Sequence, residues 1–338
     1  KVEPIIGMDS PNNYRNKLNL FFKNSKSNGM IAGIYQSANE GIVSIDDCMI
    51  CDKQTTEIIP SLLKLMKSFK IKPYNADEQT GYIRNVIIRK GNKTGEIALL
   101  FIVGKKENRF KPAFINALLK SHPNIKTIVL NFNDAKRLYN GERIEILYGD
   151  GKIATELCGK TFRISPDAFC QVNSAQTEIL YSTALDKAEL NENDVMIDAY
   201  CGSGTIGIVA SDRVKRVLGV EINSFSIGDA KENAQINNVK NIEFFCDDSE
   251  RFMQQRTDCG ANVVVTDPPR AGCSKKFLDA ICTLSPQKVV YISCNVDSLA
   301  RDLNYLTKRG YKANFAQGVD MFPFTKGIET IVVLEKTN

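Results

Sequence analysis

Short apolar runs recur along the second half of the chain at 195–199, 217–220, 242–245, 263–266 and 289–292, and helix-like stretches separate most of them. Brief apolar runs bounded by polar segments are the pattern of strands buried on both faces. Their alternation with helices predicts an open, mostly parallel sheet with helices on both sides. Two closing runs, 313–316 and 330–334, have no full helix between them, so an antiparallel pair is expected at the sheet edge. The first half reads differently. Strand-like runs at 82–89 and 96–103 flank the turn-prone Lys90-Gly91-Asn92-Lys93-Thr94-Gly95, which predicts a hairpin with a basic loop. Helical spacing at 61–69 and 112–119, with a short strand at 127–130, makes this half mixed α/β. The expected fold class is α/β: a smaller mixed domain over 1–160, then a doubly wound, Rossmann-like domain over 161–338. No internal repeat is visible.

With 338 residues, 43% hydrophobic and 25% charged, the chain has the length and composition of about two globular domains. Its apolar runs fall far below the roughly 18 residues of a membrane span, so no membrane partner is expected. It opens at Lys1 without an initiator Met or a signal-peptide pattern, and reads as a trimmed or partial chain. Ten scattered cysteines, many in apolar segments, suit a reducing compartment, and a cytoplasmic location is expected. His122 is the only histidine, which excludes any mechanism needing two and argues against a His-rich metal site. Charge is uneven: residues 1–150 hold 23 Lys+Arg against 15 Asp+Glu, and residues 151–338 hold 21 against 24. A basic front half suggests a polyanion-binding module, although an ordinary solvated surface has the same count.

The run at 195–199 leads into Asp198-Ala199-Tyr200-Cys201-Gly202-Ser203-Gly204-Thr205-Ile206-Gly207. Glycines 202, 204 and 207 let a backbone approach a nucleotide between a strand and a helix. Asp198 stands between strand and glycines, where a carboxylate would repel a pyrophosphate and suits a cationic, amine-bearing ligand. S-adenosylmethionine, with a sulfonium and an ammonium, fits. Glu221 closes the second run, placed to bind ribose hydroxyls, and Asp248 follows the third, placed to accept from an adenine amine. Each acid also reads as a plain strand-end cap.

Asp267-Pro268-Pro269-Arg270 follows the fourth run, where two prolines stiffen the backbone. It resembles the segment with which class I methyltransferases hold a planar substrate, and also reads as a rigid loop and no more. Ser293-Cys294-Asn295 follows the fifth run, at the strand end that faces the ligand crevice in such sheets, which sets Cys294 apart from the other cysteines. Glu329 precedes the last run.

These pieces, with Pro4-Ile5-Ile6-Gly7-Met8, Tyr14-Arg15-Asn16-Lys17, Phe169-Cys170-Gln171-Val172-Asn173 and Asp320-Met321-Phe322-Pro323, resemble in order the RNA uracil-5-methyltransferase family. The resemblance implies a class I methyltransferase fold, with S-adenosylmethionine as cofactor and RNA as partner. It makes Cys294 the nucleophile and Glu329 the general base. It makes Gln171, Tyr200, Thr205, Glu221 and Asp267 cofactor or substrate contacts, joining Asp198, Gly202, Gly204 and Asp248, with Phe169 beside a flipped base. The chemistry needs such groups: thiolate addition at C6 of uracil makes C5 nucleophilic, and a base must then remove the C5 proton. Unstacking the nucleotide calls for an aromatic side chain.

Many family members carry an N-terminal barrel and an iron–sulfur cluster. Neither is expected in this chain, because Cys48-Met49-Ile50-Cys51 offers two of four ligands. No metal and a monomer are expected. 23S rRNA is placed ahead of tRNA as substrate. Two other readings stay open: a methyltransferase acting on an exocyclic amine, which would not need Cys294, and a catalytically silent RNA-binding protein. In the basic front half, Arg84, Arg89, Lys90 and Lys93 are expected to meet phosphates.

Overall fold

The computed structural model describes residues 2–25, 29–36, 41–45, 47–105, 107–133, 143–256 and 258–337. The chain forms two compact units, residues 12–156 with 163–168, and residues 1–11 with 157–162 and 169–338. It does not divide at a single point near 160. The opening strand β1 (Val2–Ile6) adds in parallel to a strand near the other end of the sequence, which ties residues 1–11 to the second half.

The first of these units contains β2 (Lys17–Ser25), β3 (Gly29–Tyr35), β4 (Ile42–Ser44), α1 (Lys53–Thr56), α2 (Ile58–Ser68), β5 (Ile83–Lys90), β6 (Ile97–Val103), α3 (Pro112–Ser121), β7 (Ile125–Phe132) and β8 (Arg143–Tyr148). Among the described residues its sheet runs β4-β3-β2-β5-β6-β7-β8. Neighbours are antiparallel except β6 and β7. A parallel pair needs a crossover, and α3 supplies it, with Pro112 at the first helical turn where a missing N–H costs nothing. Leu20, Val86, Leu99, Phe101, Ile128 and Leu130 pack with Leu62, Met66 and Phe114 of the helices into one core.

The hairpin expected at 82–103 forms, but its charges are not where the basic-loop reading put them. Arg84 and Arg89 are 8% and 1% exposed. Arg84 Nη1 donates to the Asn133 carbonyl at 2.9 Å and its guanidinium lies over the Tyr74 ring; Arg89 donates to the Ala168 carbonyl. Lys90 is paired with Asp52 at 2.7 Å. These three stabilise the unit's interior, and only Lys93 of the four is fully exposed. A strand buried on both faces leaves its arginines no route to solvent.

After β9 (Ile153–Leu157) and β10 (Lys160–Ile164), the second unit continues with α4 (Ser174–Lys187), β11 (Val195–Ala199), α5 (Thr205–Ala210), β12 (Arg216–Glu221), α6 (Ser224–Ile236), β13 (Ile242–Cys246), α7 (Ser249–Gln255), β14 (Val263–Thr266), α8 (Lys275–Leu284), β15 (Lys288–Ser293), α9 (Val296–Thr307), β16 (Tyr311–Val319) and β17 (Glu329–Lys336). The eight strands are ordered β1-β16-β17-β15-β14-β11-β12-β13. All five runs read as buried strands form, and they pair in parallel. The closing runs pair antiparallel, as expected, but β17 inserts between β15 and β16 and β1 extends the sheet beyond them, so the antiparallel strand lies inside the sheet. Packed around it are Ile197, Leu218, Val264, Phe277, Ile281, Tyr291, Leu299 and Val332.

Helices that follow strands are capped by polar side chains at one end of this sheet: Asn223 on α6, Asp248 on α7, Ser274 on α8 and Asn295 on α9. Each such cap stabilises its helix by about 1 kcal/mol and fixes the turn out of the strand. Strand order reverses at β11, flanked by β14 and β12, so the carboxyl ends of these strands frame a crevice. Among the described residues, no helix is long and apolar enough to cross a membrane.

Candidate active site

The loop leaving β11 is strained. Tyr200 has φ +62, a conformation that a bulky side chain adopts only where its surroundings enforce it, and its N–H donates to Ser249 Oγ at 3.3 Å. Gly204 has φ +79, and a Cβ there would lie 2.7 Å from Phe244 Cζ, so only glycine fits. Gly202, at φ +53, has open space where its Cβ would be.

Two acids brace this loop. Asp198 is 1% exposed and its Oδ2 accepts the Gly207 N–H at 2.8 Å, so it holds the start of α5 from beneath. Glu221, half-buried at the end of β12, accepts from the Gly202 N–H at 3.2 Å and from the Asn223 N–H at 2.8 Å. Asp248 is exposed, and its Oδ1 accepts from the Arg251 N–H at 3.1 Å; the cap reading describes what it does here. Thr205 hydrogen-bonds the hydroxyl of Tyr181, a buried residue of α4 that the sequence reading did not single out. No local spacing marks Tyr181 as different from other apolar positions on that helix.

Negative charge accumulates in the crevice. Burial, then the nearby Asp267 and Glu221 carboxylates, push Asp198 up to about 7. Burial pushes Asp267, after β14, up to about 7 as well. Glu329 is 3% exposed, its Oε2 has no hydrogen-bond partner, and burial with repulsion from Asp267 takes it to about 8 despite the opposing Arg270 guanidinium. Burial disfavours the charged form of each of these carboxyls, and a cation beside them favours it.

Cys294 lies one step beyond β15. Ser293 pairs with Thr330 across the antiparallel β15–β17 ladder, so their neighbours Cys294 and Glu329 lie at the same end of that ladder, near enough for the Glu329 charge to act on the thiol. Because β17 runs against its neighbours, its first residue lies at the same sheet edge where the parallel strands end. Burial and the Glu329 charge raise the Cys294 thiol, and a hydrogen bond from Arg270 opposes them. Arg270 was visible in the sequence as part of the Asp267–Arg270 run, but nothing there indicated that its guanidinium reaches a thiol. Gln171 is buried two residues before Asn173, the cap of α4, while Phe169 is 74% exposed.

In the other unit, Cys48 and Cys51 bring their sulfurs to 2.8 Å as free thiols. Among the described residues no three His, Cys, Asp or Glu side chains are grouped to hold a metal ion.

A sequence model described as tRNA (uracil-5-)-methyltransferase matches residues 153–337. A protein of Oceanobacillus iheyensis named as an RNA methyltransferase is 37% identical over 337 residues, 98% of this chain and 73% of that protein. One of Halalkalibacterium halodurans with the same kind of name is 38% identical over 340 residues, 100% of this chain and 74% of its own. Among solved structures, a Pyrococcus abyssi tRNA (uracil-54, C5)-methyltransferase in complex with S-adenosyl-L-homocysteine superimposes with a TM-score of 0.81 at 28% identity, covering 98% of this chain and 78% of that one.

Proposed function

The chain belongs to the tRNA (uracil-5-)-methyltransferase family, and we propose that it methylates carbon 5 of an RNA uridine through a covalent adduct at Cys294 that Glu329 resolves. The observation that carries this reading is the strand register that sets Cys294 and Glu329 at the same end of the β15–β17 ladder.

S-adenosylmethionine, when bound, supplies an electrophilic methyl on a positively charged sulfur. The crevice fits that ligand: Gly202 has open space where a Cβ would be, Tyr200, Thr205, Glu221 and Asp248 are assigned to its binding, and Asp198 and Asp267 offer charge that a cation offsets. Gln171 and Phe169, on the segment before α4, are assigned to the base and its neighbourhood.

Arg270 stabilises the Cys294 thiolate. The sulfur forms a bond to C6 of uracil, and the C5–C6 electron pair moves onto C5 and the C4 oxygen, which makes C5 nucleophilic. Once C5 bears the methyl, Glu329 takes the C5 proton. The released pair restores the C5–C6 bond, and the C6–S bond breaks to return the thiolate.

For the RNA, we put tRNA ahead of 23S rRNA, reversing the order set by the sequence reading. The family's description and the Pyrococcus neighbour both name tRNA, whereas nothing in the composition of this chain distinguishes the two. The unit of residues 12–156 is assigned to RNA binding.

Incubation with 5-fluorouridine tRNA, 5-fluorouridine 23S rRNA and S-adenosylmethionine tests the reading, because fluorine cannot leave C5 as a proton does. A denaturation-resistant complex that Cys294→Ser abolishes is expected. Methylated RNA without any trapped complex would favour amine methylation, and cofactor binding without methylated RNA would favour a silent RNA-binding protein.

A further inference from the structure

The first two turns of α9 hold the backbone of the loop that follows β14. Asn295 Nδ2 and Ser298 Oγ donate to the Arg270 carbonyl at 3.0 and 3.1 Å. Arg301 Nη2 donates to the Ala271 and Cys273 carbonyls at 2.9 and 3.2 Å. Asp302 Oδ2 accepts from the Cys273 N–H at 2.8 Å and from the Tyr291 hydroxyl at 2.7 Å, and its Oδ1 accepts from Arg301 Nε at 2.8 Å. These side chains recur at helical three-to-four spacing and so share one face.

Asp302 is 0% exposed, and a carboxylate persists in such a place only when its oxygens are fully engaged. The loop is pressed against it: Gly272 takes φ +76, and a Cβ there would lie 2.6 Å from Asp302 Oδ2. Asn295, which holds the Arg270 carbonyl, is the residue after Cys294, so the loop brings Arg270 beside that thiol, where its charge opposes the rise of the thiol's pKa. Cys294 itself immediately precedes Asn295, the cap of α9. One helix thus begins at the thiol and grips, along its face, the loop that brings a guanidinium to that thiol.

We propose that Arg301 and Asp302 are positioning residues for methyl transfer, fixing the backbone of residues 270–273 so that the Arg270 guanidinium meets Cys294. Neither touches the thiol; they act through the loop. This rests on the reading of Cys294 as the nucleophile. The geometry matters because a group misplaced by about 1 Å loses much of its catalytic effect.

The test uses Arg301→Met, which removes the grip on the Ala271 and Cys273 carbonyls together with the donor to Asp302 Oδ1, and Asp302→Asn as a second variant that removes the buried charge. Thermal midpoint, S-adenosylhomocysteine affinity, kcat and KM for RNA are measured. The pH profile of Cys294 alkylation by iodoacetamide is followed on the Cys294 peptide by mass spectrometry. Arg301→Met is expected to lower its midpoint, because Asp302 Oδ1 loses its donor, to keep cofactor-product affinity and KM, to lose about ten- to 100-fold in kcat, and to move Cys294 alkylation to higher pH. Normal kcat with an unshifted alkylation profile in Arg301→Met, whatever happens to the midpoint, overturns the positioning role. An active Cys294→Ser enzyme would instead overturn the nucleophile reading; a shifted profile in Arg301→Met would still support the arrangement of Arg270 by α9.

Discussion

Glu329 precedes Thr330, which pairs with Ser293 beside Cys294 across the β15–β17 ladder, and one of its carboxylate oxygens is buried and unpartnered. An orphaned acceptor so placed is costly to keep, since a buried unsatisfied group loses roughly 1–3 kcal/mol of hydration. A substrate group with a proton to give would satisfy that oxygen. Glu329→Gln is therefore expected to form the Cys294 adduct and accept the methyl, then stall, because the amide keeps the shape and loses the basicity. Methylated RNA bound to protein on a denaturing gel is the expected result. Turnover at the wild-type rate would reduce Glu329 to a strand cap.

The same variant has a stability signature. The folded carboxyl is raised from 4.5 to about 8, so between those values the native state keeps a proton that the unfolded state has lost. Native stability falls as pH rises through that window. Glu329→Gln carries no such proton, so its unfolding midpoint is expected to gain on the wild type from about pH 5 to about pH 8. The gain should be on the order of a few kcal/mol at the upper end. Parallel melting curves at every pH would show that the buried carboxyl does not titrate in this way.

Glu221→Ala removes a carboxylate that accepts from the glycine loop while facing the crevice. S-adenosylmethionine affinity is expected to fall by about 1.5–3 kcal/mol, the worth of hydrogen bonds to a charged group. Calorimetry on a folded variant measures it, and unchanged affinity would take Glu221 out of the cofactor site.

The basic hairpin separates two roles. Arg89→Gln, at a position 1% exposed, is expected to lower the unfolding midpoint and leave the salt dependence of RNA binding unchanged. Lys93→Gln, at an exposed position, is expected to leave the midpoint alone and flatten the slope of log affinity against log salt by about one unit if that loop meets a phosphate. A reversed pattern would mean that the arginine, not the lysine, meets RNA.

What could be read from the sequence follows from range. The strands of the doubly wound sheet are short apolar runs, and a buried strand announces itself within its own residues. Cys294 was distinguished by standing at a strand end, and Glu329 by preceding the last run. The parts that were not legible depend on distant partners. Arg84 and Arg89 read as a phosphate-binding pair because a sequence shows charge and hides the carbonyls of Asn133 and Ala168 that receive it. That Asp248 and Asp198 also accept backbone amides in the turns that follow them was not legible either. Arg301 and Asp302 had no signal, since their meaning lies in a loop reached only when α9 folds back across β14 and β15. The membership of β1 in the far sheet was likewise invisible.

The insertion of β17 between β15 and β16 orders events as the chain is made. When the ribosome has completed β15 and α9, Cys294 exists but the strand bearing Glu329 does not, and β15 presents an unpaired edge. Cys294 and Glu329 are therefore brought together by the last strand of the sheet to emerge, and β1, made before it, joins through β16. A nascent chain of this protein holds Cys294 without Glu329, and the two meet only when the sheet closes on the late-arriving strand.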